Sequence, residues 1–228
     1  MAGYTDFDFR AWVQRAQEFT ETLAARLGEQ VVAEARVAPA LSEEAVAELA
    51  AGLDRGVPAV VRRFLVQGAG GLGFGYQWTP AGAAARELEA LLEGKSYVWG
   101  GGPLCLAGEF REWVERCDEW IEESWIGESA EQARWWRESF PILSLDTGDF
   151  LALDLSRPAE DPAVVYLCHD EESDLIAPSF TRFLTEWERL GYLGPDRDLL
   201  ELFFDEEGFL SGEGEEAAAL RALLQGET

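Results

Sequence analysis

Chemistry has few places to reside in this chain. His169 is the only histidine, so any Ser-His-Asp or Cys-His constellation has to use it. It stands between Cys168 and Asp170, but strand neighbours point to opposite faces, so adjacency alone builds no dyad. A zinc site would need His169 together with Cys105, Cys117 and Cys168, and no Cys-x-x-Cys spacing is present. Asp146-Thr147-Gly148 is the triplet of aspartic proteases. That reaction takes two facing aspartates that share a proton. The chain has one copy, so the triplet reads as a hairpin turn.

Gly68-Ala69-Gly70-Gly71-Leu72-Gly73 has the spacing G-x-G-x-x-G. A dinucleotide loop opens a helix at its last glycine. Here Gly75 and Pro80 oppose a helix, so the glycines read as a permissive turn before a strand. The loop Asp170-Glu171-Glu172-Ser173-Asp174 lacks the order of a calcium loop and its closing Glu, which leaves weak, adventitious Ca²⁺ binding at most. No catalytic residue, no cofactor and no metal site is expected. The residual enzymatic reading is a metal-dependent hydrolase using Asp146, Asp149 and Asp170.

Recognition by charge is the stronger reading. Against 44 acids stand 18 basic residues, a net charge of −26, and Lys95 is the sole lysine. Solubility of a small domain needs only roughly 2–8 units. Such a field repels nucleic acid and anionic membranes, and draws in a basic protein partner. The densest acids are Asp170, Glu171, Glu172 and Asp174 in the loop, and Glu119, Glu122 and Glu123 on a helix. Trp135 and Trp136 lie about 100° apart on a helix, so both are hard to bury on one face. Ringed by Glu128, Glu131 and Glu138, one of them is a candidate binding anchor. These nine residues form the expected partner surface.

A folded scaffold must position them. The composition is 47% hydrophobic with nine Trp and thirteen Phe, enough for a packed core. Phe9, Trp12, Val13, Ala16, Phe19 and Leu23 repeat at helical spacing, with Asp6 or Asp8 to cap the start and Gly28 to end it. A strand over residues 31–37 follows, then a helix from Ser42 to Gly52 and one opened by Pro58 through Leu65. Leu72, Phe74, Tyr76 and Trp78 alternate as in a strand with one aromatic face. Thr79-Pro80 starts a helix to about Leu92, and Gly100-Gly101-Gly102-Pro103 reads as a turn. The longest helix carries Phe110, Trp113, Val114, Cys117, Trp120 or Ile121, and Trp125.

The runs 142–145 and 150–155 flank the turn Asp146-Thr147-Gly148-Asp149 as a hairpin, and 163–168 is the next strand. After the acidic loop comes a helix, with Phe180, Phe183, Leu184, Trp187 and Leu190 on one face and Pro178 in its first turn. Residues 1–194 are expected as one domain, and 195–228 as a peripheral extension ending in a short helix. No run of about eighteen apolar residues exists, so no membrane span is expected. The N-terminus lacks an export pattern. A cytoplasmic location is expected, with all three cysteines as buried thiols.

Phe140-Pro141-Ile142, Gly148-Asp149, Val164-Val165-Tyr166, His169-Asp170 and Ser179-Phe180 with Phe183-Leu184 follow one another in an order that resembles the SUKH superfamily, the Smi/Knr-type domain. Val57-Pro58 with Phe64-Leu65 resembles the family's upstream helix, and the Gly-rich stretch 68–78 stands where the family carries a turn and a strand. The likeness runs from about residue 40 to Tyr192. It implies an α+β fold: an antiparallel-rich twisted sheet with helices packed against it. It also implies a non-enzymatic binding protein, an immunity protein that neutralises a bacterial toxin, foremost a nuclease, by covering its basic surface. The alternative is a cytosolic scaffold or regulator of the same fold with no toxin partner.

Overall fold

Seven antiparallel strands follow one another across a single sheet in sequence order, in a computed structural model that describes residues 7–226. The strands are β1 (Val31–Ala38), β2 (Gly71–Trp78), β3 (Val98–Leu104), β4 (Ser139–Ser144), β5 (Phe150–Asp154), β6 (Val164–Leu167) and β7 (Asp174–Ala177). The helices are α1 (Phe9–Leu27), α2 (Glu43–Ala51), α3 (Ala59–Arg63), α4 (Gly82–Leu91), α5 (Phe110–Glu123), α6 (Ala130–Arg137), α7 (Phe180–Arg189), α8 (Arg197–Glu201) and α9 (Glu215–Gln225). The α+β architecture expected from the sequence is the one observed.

Local chemistry sets most boundaries. The Asp8 carboxylate accepts from Ala11 N–H and caps α1; the alternative cap, Asp6, lies outside the described residues. Ser42 caps α2, Ser129 caps α6 and Ser179 caps α7. Pro178 therefore precedes the cap of α7 and is not in its first turn. The helix opened by Pro58 changes to a π turn over Phe64–Gly68. Helix α4 starts at Gly82, two residues beyond Pro80. Trp125 falls outside α5, in a short 3₁₀ turn, and α5, expected as the longest helix, has 14 residues against 19 in α1.

Strand β2 shows its face cleanly. Leu72, Phe74, Tyr76 and Trp78 are buried, while Gly73, Gly75 and Gln77 on the other face are not. The aromatic face packs on α1 and α7. Phe74 meets Trp187 edge-on at 5.5 Å, and the Trp12 and Trp187 rings stack at 6.3 Å. The strands β4, β5 and β6 are buried on both faces. Phe110 of α5 packs on Phe140 of β4, and Trp136 of α6 on Phe150 of β5. The β1–β3 half lacks this second layer, because Gly73, Gly75, Gly101 and Pro103 offer a helix little apolar surface to cover.

Two elements depart from the sequence reading. Residues 100–103 form the middle of β3 and not a turn, because their glycines serve close approach rather than chain reversal. A strand, β7, starts at Asp174, the last residue of the acidic loop. Residues 195–226, set apart in sequence as an extension, place Leu200, Phe203, Leu210, Leu220 and Leu224 in the same apolar cluster as the sheet. Among the described residues no helix is long and apolar enough to cross a membrane.

Two predictions follow from the packing. Replacing Trp113, 4% exposed, by Ala should cost roughly 3–5 kcal/mol, read as a lower urea midpoint; an unchanged midpoint would place α5 outside the core. The second concerns alkali. Burial pushes the Cys117 thiol from 9.0 up to about 12. While the unfolded thiol stays protonated, both states are neutral and stability is unaffected. From pH 9.0 upward the unfolded chain loses the proton and the folded chain holds it, so stability declines until about pH 12. Cys117→Ala should flatten that decline, and an identical pH dependence in the two proteins would refute the assignment.

Candidate functional site

The groove begins at a seam. Strands β3 and β4 are neighbours but share one residue pair, Leu104 with Leu143. Toward Val98 they part, and the chain leaving α7 fills the gap. Gly101 N–H donates to Tyr192 O at 2.7 Å, and Gly194 N–H donates to Trp99 O at 2.7 Å. The crossing is so close that a Cβ on Gly100 would lie 2.3 Å from the Tyr76 ring, and one on Gly194 2.4 Å from the Trp99 indole. Only glycine fits at either position.

The seam and the uncovered face of β2 and β3 together enclose a groove of about 810 Å³. Backbone of Gly75, Gly101 and Gly102 lines it, and Tyr97 and Trp99 are among its aromatic residues. The β4–β5 turn contributes Asp146, Thr147 and Asp149, the loop after β6 contributes Asp170 and Glu171, and the start of α8 contributes Asp196, Arg197 and Asp198. Glu34 of β1 completes the lining. Seven carboxylates thus surround a single cation, Arg197.

These acids are not equivalent. Asp149 is buried and holds the local structure together. One of its oxygens accepts from His169 N–H at 2.9 Å and faces His169 Nδ1 at 2.7 Å; the other accepts from Thr147 Oγ1 at 3.0 Å and Tyr166 OH at 3.2 Å. Burial, then the Asp149 charge, pushes the Tyr166 phenol well up, so it stays a donor. Nε2 of His169 faces Asp170 at 3.1 Å, and the ring lies against Trp120 at 4.6 Å. With both nitrogens on carboxylates, the imidazole has no nitrogen turned toward a nucleophile. Asp196 is occupied as the cap of α8. Asp146 and Asp198 are exposed and, among the described residues, engage no cation.

Arg197 organises the acidic loop. Its guanidinium donates to Glu171 at 3.3 Å, to Glu172 O at 2.7 Å, to Asp174 at 2.5 Å and to Glu201 at 2.8 Å. Burial would lower its pKa, but the hydrogen bond to Glu201 and the Asp174 charge more than offset this and hold it above the ordinary value. Burial pushes the Cys168 thiol up, so its thiolate is disfavoured. Among the described residues no three His, Cys, Asp or Glu side chains are grouped to hold a metal ion.

The structure divides the residues singled out in the sequence. Asp170 and Glu171 line the groove, whereas Glu172 and Asp174 are exposed and do not line it. Glu171 and Asp174 are tied to Arg197 rather than turned toward a partner. Glu119, Glu122 and Glu123 are exposed on α5 and do not line the groove; Glu119 pairs with Arg116 at 3.1 Å. Trp136 is fully buried against Phe150 and Trp120 and is corrected from anchor to core. Trp135 is half-buried under the Arg134 guanidinium at 5.1 Å, away from the groove. The sequence reading missed Tyr97, Trp99, Asp196 and Asp198, and it weighed Asp146 as a turn residue and a hydrolase ligand but not as a partner contact. Reading Val98-Trp99 as a strand that continues through the three glycines would have found the aromatic pair.

An antiparallel meander, half of it wrapped by helices on both sides and half left open beside an acidic groove, defines an α+β domain of the SUKH type. Residues 40–186 match the model of the SMI1 / KNR4 family (SUKH-1), and the chain belongs to that family. The match runs from just before α2 through most of α7. No curated protein and no solved structure matches the chain.

Removal of the Arg197 guanidinium tests the loop assignment. Arg197→Ala should speed amide exchange across residues 171–174 and leave the melting temperature within a few degrees, since the pairs are partly solvated. Unchanged exchange would show that the loop does not depend on Arg197.

Proposed function

We propose that this chain is a non-enzymatic, cytoplasmic immunity-type protein that binds a basic protein partner, a bacterial toxin domain of the nuclease class, through the acidic groove. The carboxylates stand in for the phosphates that such a toxin would hold. One observation carries this reading: seven carboxylates converge on a groove with one cation and a glycine floor, with Tyr97 and Trp99 among its aromatic residues. A Lys or Arg side chain entering it meets Asp146 and Asp198 first, the acids that engage no internal cation. The exposed Tyr97 and half-buried Trp99 supply faces on which a guanidinium stacks. The backbone floor lets a partner segment approach closely, because no side chains rise from Gly75 and Gly101. Membership of the SMI1 / KNR4 family supports the immunity-type role.

The reading moves the expected contact surface. Reversing Glu171 would break the native Arg197 cluster, so it is a poor probe of binding. Asp146→Lys and Asp198→Lys are the informative changes. Both should lower the association rate for the product of the neighbouring gene several-fold at low salt, with the difference shrinking as salt screens the field. Trp99→Ala should instead raise the dissociation rate. An association rate independent of salt, or tight binding of polyanions by the protein, would overturn the electrostatic account and leave the scaffold reading in its place.

A further inference from the structure

The two edges of the sheet are treated differently. At β7 the chain covers its own edge: Ile176 O accepts from Leu210 N–H at 2.8 Å. At β1, among the described residues, nothing pairs with the outer edge. The strand is eight residues long, a length at which an open edge invites pairing. Val32 is 77% exposed and Val37 38% exposed.

The peptide groups on that edge can be assigned. Gln30 O accepts from Thr79 N–H, and Ala38 O accepts from Gly70 N–H. Even-numbered residues of β1 therefore turn their peptide groups toward β2. Ala33, Ala35 and Val37 turn theirs outward, by the alternation of an antiparallel ladder. Side chains of even number lie on the open face of the sheet. Glu34 and Arg36 are both there, 71% and 84% exposed, and pair with each other at 3.2 Å.

We propose that β1 is the seam of a homodimer, pairing antiparallel with β1 of a second copy about a two-fold axis at Ala35. In that register Ala35 of each copy exchanges both backbone hydrogen bonds with the other, and Ala33 pairs with Val37 likewise. Glu34 then stands opposite Arg36 of the second copy, twice over, in the closer non-hydrogen-bonded position. Val32 meets Ala38. Moving the axis by one residue in either direction sets Glu34 on Glu34 or Arg36 on Arg36, so the charges select one register. The interface is isologous and closed, which consumes both open edges. The sheet becomes continuous, with seven strands from each copy, and the two grooves open on the same side. Glu34 lines the groove, so its exchange with Arg36 of the second copy places the seam next to the site.

The test is sedimentation equilibrium of the full chain over a concentration series from nanomolar to several hundred micromolar. Wild type should be a reversible dimer. Glu34→Lys and Arg36→Glu should each weaken it about tenfold, by facing like charges twice across the axis. The double variant Glu34→Arg with Arg36→Glu should recover the wild-type constant to within a few-fold. Long-range repulsion makes the opposite forecast for Glu34→Lys, because that change makes each copy less acidic and would strengthen association. Ala35→Pro should abolish the dimer and leave the melting temperature nearly unchanged, since the N–H it removes points away from β2. A monomer across the whole range overturns the proposal. So does a dimer indifferent to the single reversals, or one that the double reversal does not rescue. Each outcome is read without a toxin partner, so it stands apart from the test of the groove.

Discussion

The single residue pair joining β3 to β4 is the constraint on which the rest of the molecule depends. A fully zipped sheet would leave no room for the segment after α7, and no groove. Because the strands part beyond Leu104 and Leu143, the edge groups of β3 need other partners, since buried unpaired peptide groups are costly. Tyr192 O and Gly194 N–H supply them. That crossing dictates Gly100 and Gly194, where any Cβ would strike an aromatic ring. It also delivers Asp196, Arg197 and Asp198 to the groove. One topological choice thus sets the glycines, the position of α8 and the convergence of acids.

The charge imbalance is managed by committing arginines to partners within the chain. Glu186 is fully buried and is met by Arg182 at 3.1 Å, Arg189 at 3.2 Å and Gly212 N–H at 2.7 Å. Arg15 binds Glu188, and Arg55 reaches Asp118 while donating to the carbonyls of Trp136 and Ser139. Arg197 serves the acidic loop. The scarce cations therefore act as structural cross-links, and most join elements distant in sequence. The surplus carboxylates are left on the surface, where their repulsion is tolerable in water. The groove differs from that general surface in geometry: its acids come from four separate segments and are held around one concave space.

Elements governed by short-range rules were legible. The aromatic alternation of β2, the start of α2 at Ser42, the Asp146–Asp149 turn and the amphipathic face of α7 all follow from spacing and capping chemistry, whereas the cap of α7 lies one residue beyond the Pro178 read into its first turn. The glycine-rich part of β3 was not legible. A run of three glycines carries no alternation, and its strand state is imposed by Tyr76 on one side and Tyr192 on the other. Strand β7 was hidden because it is four residues long and starts inside the acidic loop. At the site, the dense runs of acids were visible and drew attention to residues that are bound to Arg197. Of the unengaged acids, Asp198 is a single letter in an unremarkable stretch, and Asp146 stood out only as a turn residue and a hydrolase candidate, not as a contact for a partner. Their importance arises from pairing, which a linear reading does not contain. Trp135 and Trp136 illustrate the same point: the 100° offset requires that they differ, but α6 alone does not say which faces Phe150.

The family match covers residues 40–186, and several groove components lie outside it. Glu34 precedes it, and Tyr192, Gly194, Asp196, Arg197 and Asp198 follow it. The matched core supplies the open face, the β4–β5 turn and the Asp149–His169 contact that holds the turn to the next loop. The flanking segments supply the closing wall, most of the α8 charge and the bare edge at β1. This division has a physical consequence. The core can be kept constant for stability, since Asp149, Phe140 and Phe150 are buried and intolerant of change. Exposed positions such as Asp146, Asp198 and Glu34 can vary at little cost to the fold, because surface substitutions seldom move stability by much. A scaffold built this way can change the charge and shape of its groove without re-solving how it folds.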